Sequence, residues 1–301
     1  MPRASGPRPA CLRKYEPYQI VTPIAHDTLM FMSDISLSGI HLYPLKSARG
    51  ISLDQTALVS RGMAYDRRWM LVDTKGRFLT QRQLPQMALI HTQLESDRLV
   101  LQAQGHTDLV LPSVMDKGTS CEVQVWEDRC RALAADESAN RWFSQVLNQA
   151  VQLVYMPDET RRQVDQTYAQ SDDITSFADG FPLLLISEAS LNNLNQRLEQ
   201  AVPMRRFRPN LVVTGCEPYA EDQWKQIRIG DILFEVVKPC SRCIITTVDP
   251  ETGVRSSNRE PLRTLATYRR RDNQVFFGQN LIHRGNGALT IGDAVEIIEL
   301  S

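Results

Sequence analysis

Short apolar runs separated by turn residues dominate the chain from Ile35 onward. Residues 35–45 alternate loosely between apolar and polar and end at Pro44-Leu45-Lys46-Ser47, which predicts a strand running into a turn. Trp69-Met70-Leu71-Val72, Asp73-Thr74-Lys75-Gly76 and Arg77-Phe78-Leu79-Thr80 read as strand, glycine-bearing turn and return strand. Further strands are expected at 88–94, 98–103, 121–126 and 129–133, then at 182–186, 210–214, 227–229, 232–237, 244–248, 275–277 and 289–300. Helical spacing appears in three places: Ala139, Trp142, Phe143, Val146 and Leu147 within 137–149; Leu191, Leu194 and Leu198 behind a capping Ser187; and a helix opened by Glu260-Pro261 that runs to about Tyr268. The pattern is mainly β with some α, an α+β chain.

Ile227-Arg228-Ile229-Gly230-Asp231 echoes Leu289-Thr290-Ile291-Gly292-Asp293. Two strand-Gly-Asp-strand corners point to a closed barrel rather than an open sheet. A polar, turn-rich stretch over 158–179 reads as a domain junction, dividing the chain into 34–157 and 158–301. Residues 1–33 carry Pro2, Pro7, Pro9, Pro17 and Pro23 without a hydrophobic period. They are expected to be a disordered extension, or to precede a true start near Met32.

At 301 residues with 42% apolar and 23% charged residues, the chain has an ordinary globular composition and can bury a proper core. A net charge of −1 argues against a nucleic-acid polymer as partner. Local clusters remain: Arg161-Arg162, Arg205-Arg206-Phe207-Arg208 and Arg269-Arg270-Arg271. They suit a small anion, although any one cluster taken alone is expected to be solvated. No stretch approaches the ~18 apolar residues of a membrane span, and no secretory leader pattern opens the chain. Six irregularly spaced cysteines do not make a disulfide framework; a reducing, cytoplasmic setting is expected.

The densest chemistry is Lys238-Pro239-Cys240-Ser241-Arg242-Cys243, between the apolar runs 232–237 and 244–248. It reads as strand, short cysteine loop, strand, with Arg242 as a fixed positive charge between two thiols. Structural zinc would need a second ligand pair, and the remaining Cys and His are scattered. A redox dithiol would be followed by a helix rather than a strand. A single sulfur binding a soft transition metal, its neighbour in support, is the third use. Two thiols in a tight turn remain the plain alternative.

The wider pattern resembles MOSC-domain proteins. Tyr43-Pro44-Leu45-Lys46-Ser47, Asp66-Arg67-Arg68-Trp69, Phe207-Arg208-Pro209-Asn210, Cys240-Ser241-Arg242-Cys243, the run Thr246 to Gly253, and Phe277-Gly278-Gln279-Asn280 stand in that family's order. The similarity covers roughly 35–300 and is to the subfamily with an N-terminal MOSC β-barrel domain, which includes the mitochondrial amidoxime-reducing component and YcbX-type proteins. It implies a MOSC β-barrel domain beside an N-terminal MOSC β-barrel-like domain, and a molybdenum cofactor: molybdenum on a pterin dithiolene with a terminal phosphate. On this resemblance Cys243 is the catalytic sulfur and metal ligand, with Cys240 in support. Ser241 and Arg242 hold the cofactor. Lys46, Ser47, Arg67, Arg208 and Asn210 match pterin- and phosphate-contacting positions, and Asn280 falls opposite another. Arg67 and Arg68 cannot both face inward on a strand; the resemblance selects Arg67. Asp249 is read as a turn residue rather than a catalytic carboxylate, and Trp69 and Trp224 as packing.

Two departures qualify the match. Amidoxime-reducing relatives place Thr-Ser where this chain has Gly180-Phe181, so backbone contacts would replace hydroxyl contacts. YcbX-type chains often carry a ferredoxin domain, and this sequence has no iron–sulfur cysteine cluster and no flavin or nicotinamide fingerprint. The expected activity is reduction of small N-hydroxylated substrates (hydroxylaminopurines, amidoximes, hydroxylamines), with electrons from a separate flavoprotein reductase or ferredoxin-like protein. The competing expectation is a sulfur carrier or cofactor-binding module acting through a cysteine persulfide.

Overall fold

Alternating strands with one apolar face close on themselves in the computed structural model, which describes residues 35–301; the expected extension at 1–33 lies outside them. The barrel strands are β1 (Ser36–Leu42), β2 (Leu183–Ser187), β3 (Leu211–Thr214), β4 (Trp224–Ile229), β5 (Ile232–Arg242), β6 (Gln274–Arg284) and β7 (Val295–Leu300). Their order is β7-β4-β5-β6-β2-β3-β1. A Ser36↔Ala294 bridge, with Val295 N–H donating to the Ile35 carbonyl at 2.9 Å, joins β1 back to the start of β7. Closure removes most of the unpaired sheet edge. Only β2 and β3 run parallel; the other neighbours are antiparallel. Leu37, Ile40, Leu185, Leu211, Val213, Ile227, Phe234, Leu281 and Val295 fill the interior.

The two Gly-Asp corners meet. A Cβ on Gly230 would lie 3.2 Å from Asp293 Oδ2, and Gly230 N–H donates to the Ala294 carbonyl at 3.1 Å. The barrel takes β1 from the start of the chain and the rest from after residue 182. Between them lies a second layer. The strands Trp69–Val72, Gln152–Tyr155, Asp128–Ala134 and Thr119–Val125 form one sheet, and His91–Glu95, Arg98–Gln102 and Leu109–Pro112 another. Trp69 to Val72 is buried at every position, so that sheet is covered on both faces, as its unbroken apolar run requires. Helix α1 (Glu137–Leu147), capped by Asp136 accepting from Ala139 N–H, lays Trp142 and Phe143 on this core.

Several expected elements are corrected. Residues 244–248 are not a strand: Ile244–Thr247 is a 3-10 turn, because Thr246 and Thr247 return their hydroxyls to the Cys243 and Ile244 carbonyls. The stretch 88–94 opens with a 3-10 turn, Pro85–Leu89, and extends only from His91. The return strand at 77–80 shrinks to a Val72↔Phe78 bridge, since Phe78 N–H turns to the Gln124 carbonyl at 3.0 Å. The strand at 275–277 runs on to Arg284, and 289–300 splits at Gly292 into Gly287–Thr290 and β7.

Strand β5 carries the cysteine segment itself, with register shifts between Val236 and Lys238 and between Pro239 and Ser241. Pro239 has no N–H to donate, and proline inside a sheet is confined to edges and bulges. The bulges turn residues 238–243 toward one cleft. Gly278 answers from β6: its φ is +81°, and a Cβ there would lie 2.5 Å from Ile186 Cγ1 and 2.8 Å from the Leu185 carbonyl oxygen. Gly278→Ala is expected to cost at least ~2 kcal/mol, seen as a lowered denaturation midpoint at unchanged slope.

Candidate functional site

A cleft of about 450 Å³ opens where the bulged end of β5 faces the turns after β1 and the segment before β2. All the residues selected from sequence line it: Lys46, Ser47 and Arg67 from the first part of the chain, Arg208 and Asn210 before β3, Cys240, Ser241 and Arg242 on β5, Cys243 just past its end, and Asn280 on β6. Lys46 is placed by stitching: its N–H donates to the Trp69 carbonyl at 2.8 Å, and Trp69 N–H to the Pro44 carbonyl at 3.1 Å. Ser47 (φ +69°), Arg67 (+47°), Trp126 (+56°) and Arg208 (+56°) share left-handed backbone. Such strain in non-glycine residues persists where the surroundings enforce it, and it collects at functional sites.

Cation follows cation around the wall. Arg67 donates to Asp66, to Asn210 Oδ1 at 2.8 Å and to the Arg208 carbonyl at 3.3 Å. Arg67 and Arg208 bracket the buried Tyr43 ring at 4.4 and 4.2 Å, and burial raises the Tyr43 pKa. Arg208 donates to the Ala48 carbonyl at 2.7 Å, and burial lowers its pKa to about 10. Arg68 points the other way, to the Met156 carbonyl and Asp158, because Arg67 sits in a turn rather than a strand. Asn210 spends its amide internally, on Arg67, Leu184 N–H and the His41 carbonyl. It orients Arg67 more than it faces a ligand. Asn280 Nδ2 donates to the Lys238 carbonyl at 3.1 Å.

Each thiol has its own guanidinium. Arg242 Nη1 donates to Cys240 Sγ at 2.9 Å and Nη2 to the Phe207 carbonyl at 2.6 Å, while Nε is buried without a partner. Cys243 Sγ receives Arg82 Nη2 at 3.2 Å. Sequence reading missed Arg82, Asp179, Lys238 and Trp126, all of which line the cleft. Arg82 and Trp126 sit in polar turns with no distinguishing pattern; Asp179 adjoins the odd Gly180-Phe181, which was a usable signal. The Gly180 position opens onto free space.

Among the described residues Asp179 is the single carboxylate lining the cleft, against Lys46, Arg67, Arg82, Arg208, Lys238 and Arg242. It accepts from Lys46 Nζ at 2.7 Å; burial would raise its pKa, but Lys46, with Arg82 and Arg67, holds it well below the usual carboxylate range. Arg162, expected to be solvated, is buried and pins this segment through the Ser176, Ala178 and Asp179 carbonyls. Asp249 is a turn residue, as read: it accepts from Glu251 and Thr252 N–H and pairs with Arg206 at 2.8 Å.

Burial lowers Lys46 to about 8 against the opposing pull of Asp179. An unfolded lysine keeps its proton to about 10.4. The native state therefore sheds one first, so stability rises with pH across that window while the cleft loses a positive charge. Affinity for an anion such as pyrophosphate, followed by calorimetry, is expected to weaken as pH rises through about 8. Lys46→Met should remove that step.

Comparison with known proteins matches the model of the MOSC N-terminal beta barrel domain to residues 34–150 and that of the MOSC domain to residues 172–296. The chain is 35% identical over 284 residues to mitochondrial amidoxime-reducing component 1 of Mus musculus, spanning 87% of this chain and 82% of that protein. It is 36% identical over 279 residues to mitochondrial amidoxime reducing component 2 of Bos taurus, spanning 86% and 82%. It is also 34% identical over 266 residues to molybdenum cofactor sulfurase of Oryza sativa subsp. japonica, spanning 82% of this chain but 32% of that protein.

Proposed function

This chain belongs to the MOSC-domain family that includes the amidoxime-reducing components, and we propose that it is a molybdenum-cofactor-dependent reductase of N-hydroxylated compounds. The observation that carries the proposal is one cleft that holds a cysteine sulfur and whose charged lining is six cations against one carboxylate. The residues fit the cofactor. Arg208, Arg242 and Lys238 have no ion pair among the described residues, and the Arg242 Nε is buried and unsatisfied, as an anionic ligand would require. The cleft volume is that of a small-molecule site.

Bound there, the cofactor would supply the two electrons that, with two protons drawn from solvent, split an N–O bond into amine and water. Cys243 would hold the metal through Sγ, with Arg82 fixing the direction of that sulfur. Arg208, Arg242 and Lys46 would neutralise the phosphate, guanidinium forks making paired bonds to its oxygens. Asp66 and Asn210 hold Arg67, which would face the pterin. The relatives are named as components, which supports a separate redox protein as electron source.

The rice relative favours a second reading, a module that handles cofactor sulfur through a cysteine persulfide. Metal and pterin analysis of the purified protein, with 6-hydroxylaminopurine reduction driven by a chemical reductant, separates them. Near-stoichiometric molybdenum and turnover are expected. Cofactor-free protein carrying a persulfide would overturn the reductase.

A further inference from the structure

Resting on that reductase reading, we propose that Trp126 and Arg82 form a stacking platform that selects planar aromatic N-hydroxylated substrates at the mouth of the cleft. Trp126 stands in the turn between Thr119–Val125 and Asp128–Ala134, where the Val125↔Asp128 pairing leaves Trp126 and Glu127 as a two-residue loop. Its φ is +56°. Turn positions with positive φ favour glycine or asparagine, and bulky residues avoid them. The side chain is 42% exposed, whereas Trp69, Trp142 and Trp224 are all buried. Neither turn chemistry nor core packing explains an indole here.

Its surroundings do. Phe78 supports the ring at 5.0 Å between centroids, tilted by 60°. The Arg82 guanidinium lies 4.3 Å from the ring centre, and the same group donates to Cys243 Sγ at 3.2 Å. Arg82 is itself steered by Asp179, whose Oδ2 is 3.8 Å away, and its carbonyl accepts from Arg255. One guanidinium therefore separates the exposed indole from the sulfur that would hold the metal. Indole and guanidinium are both flat, and both stack on aromatic rings whatever their substituents. A purine or aryl group carrying N–OH can rest on this surface with its oxygen directed inward; a small aliphatic oxime has nothing to stack. The backbone strain at Trp126 is then kept for substrate contact.

Trp126 is the one exposed tryptophan of four, so its emission, taken as the difference between wild type and Trp126→Phe, reports the site. With oxidised holoprotein, adenine (planar, not reducible) is expected to bind and quench that emission. Trp126→Gly should weaken adenine binding, measured by equilibrium dialysis, about tenfold, and raise KM for 6-hydroxylaminopurine similarly, while any loosening of Arg82 lowers kcat for every substrate alike. KM for acetamidoxime should stay put, and Trp126→Phe should restore most of the planar preference. Trp126→Gly should also melt close to wild type, because the φ that glycine accepts offsets the lost Phe78 and Arg82 contacts. Absence of quenching in wild type, or an equal rise in KM for acetamidoxime, overturns the platform. Quenching by a wild type that reduces neither substrate leaves the platform standing and overturns the reductase reading.

Discussion

Cys243→Ser is expected to fold like the wild type, retain little molybdenum and lose N-hydroxyl reduction by more than about a hundredfold. That exceeds the 10- to 100-fold typical of changes to residues supporting a metal ligand. The substitution is small for the fold. Cys243 is only half-buried; its backbone carbonyl serves Thr246 regardless of the side chain, and its sulfur meets one partner, Arg82. It is large for the metal, since a hydroxyl lacks the softness that makes sulfur a good transition-metal ligand. Cys240→Ser supplies the contrast. Its sulfur faces Arg242, which also holds the Phe207 carbonyl, so about a tenfold loss with molybdenum largely kept is expected. Molybdenum per chain by elemental analysis, pterin content and circular dichroism together decide the matter. Equal losses for the two variants would sink the asymmetric assignment.

Asp66→Ala is expected to destabilise the protein by ~3–5 kcal/mol, the range found when one partner of a buried ion pair is removed. The Asp66 side chain is 3% exposed and that of Arg67 12%. Asp66 also accepts from Tyr43 N–H at 3.0 Å, so the deletion strands a guanidinium and a backbone donor together. Burial raises the Asp66 pKa while Arg67 pulls it down, which marks a carboxylate kept by its partner rather than by water. A melting temperature lower by roughly 10 °C is the expected readout. The double variant Asp66→Ala/Arg67→Met should recover part of the loss, because no buried charge is then left alone. A single variant that melts like wild type would show that water compensates Arg67.

Much of this was legible in the residues. Alternation and turn chemistry are local, so the runs at 98–103, 129–133 and 182–186 became strands within a residue or two. Ser187, Leu191 and Leu194 likewise became a capped helix, Glu188–Asn195, with Leu198 falling beyond its end. The MOSC resemblance gathered Lys46, Arg67, Arg208, Cys243 and Asn280 as one set, and the structure brings them to one cleft. Local reasoning failed where side chains compete with the ladder. Ile244-Ile245-Thr246-Thr247 has a strand's composition, yet its threonines bond back to the chain and coil it.

The amino-acid sequence by itself determined which segments could be strands, which glycines and prolines would interrupt them, and which residue types were available to bind an anion and a metal. Those properties depend on neighbours a few positions away. Only the tertiary structure decided which guanidinium meets which sulfur. Arg242 lies one position from Cys243 in the chain but serves Cys240, while Arg82, 161 residues away, reaches Cys243. The bulge at Pro239 and the closure of β1 onto β7 set that choice, and both depend on pairings between strands far apart in sequence. The Arg162 bonds to 176–179 and the hairpin turn at 126 likewise bring Asp179 and Trp126 to the cleft, giving the two cysteines their unequal surroundings.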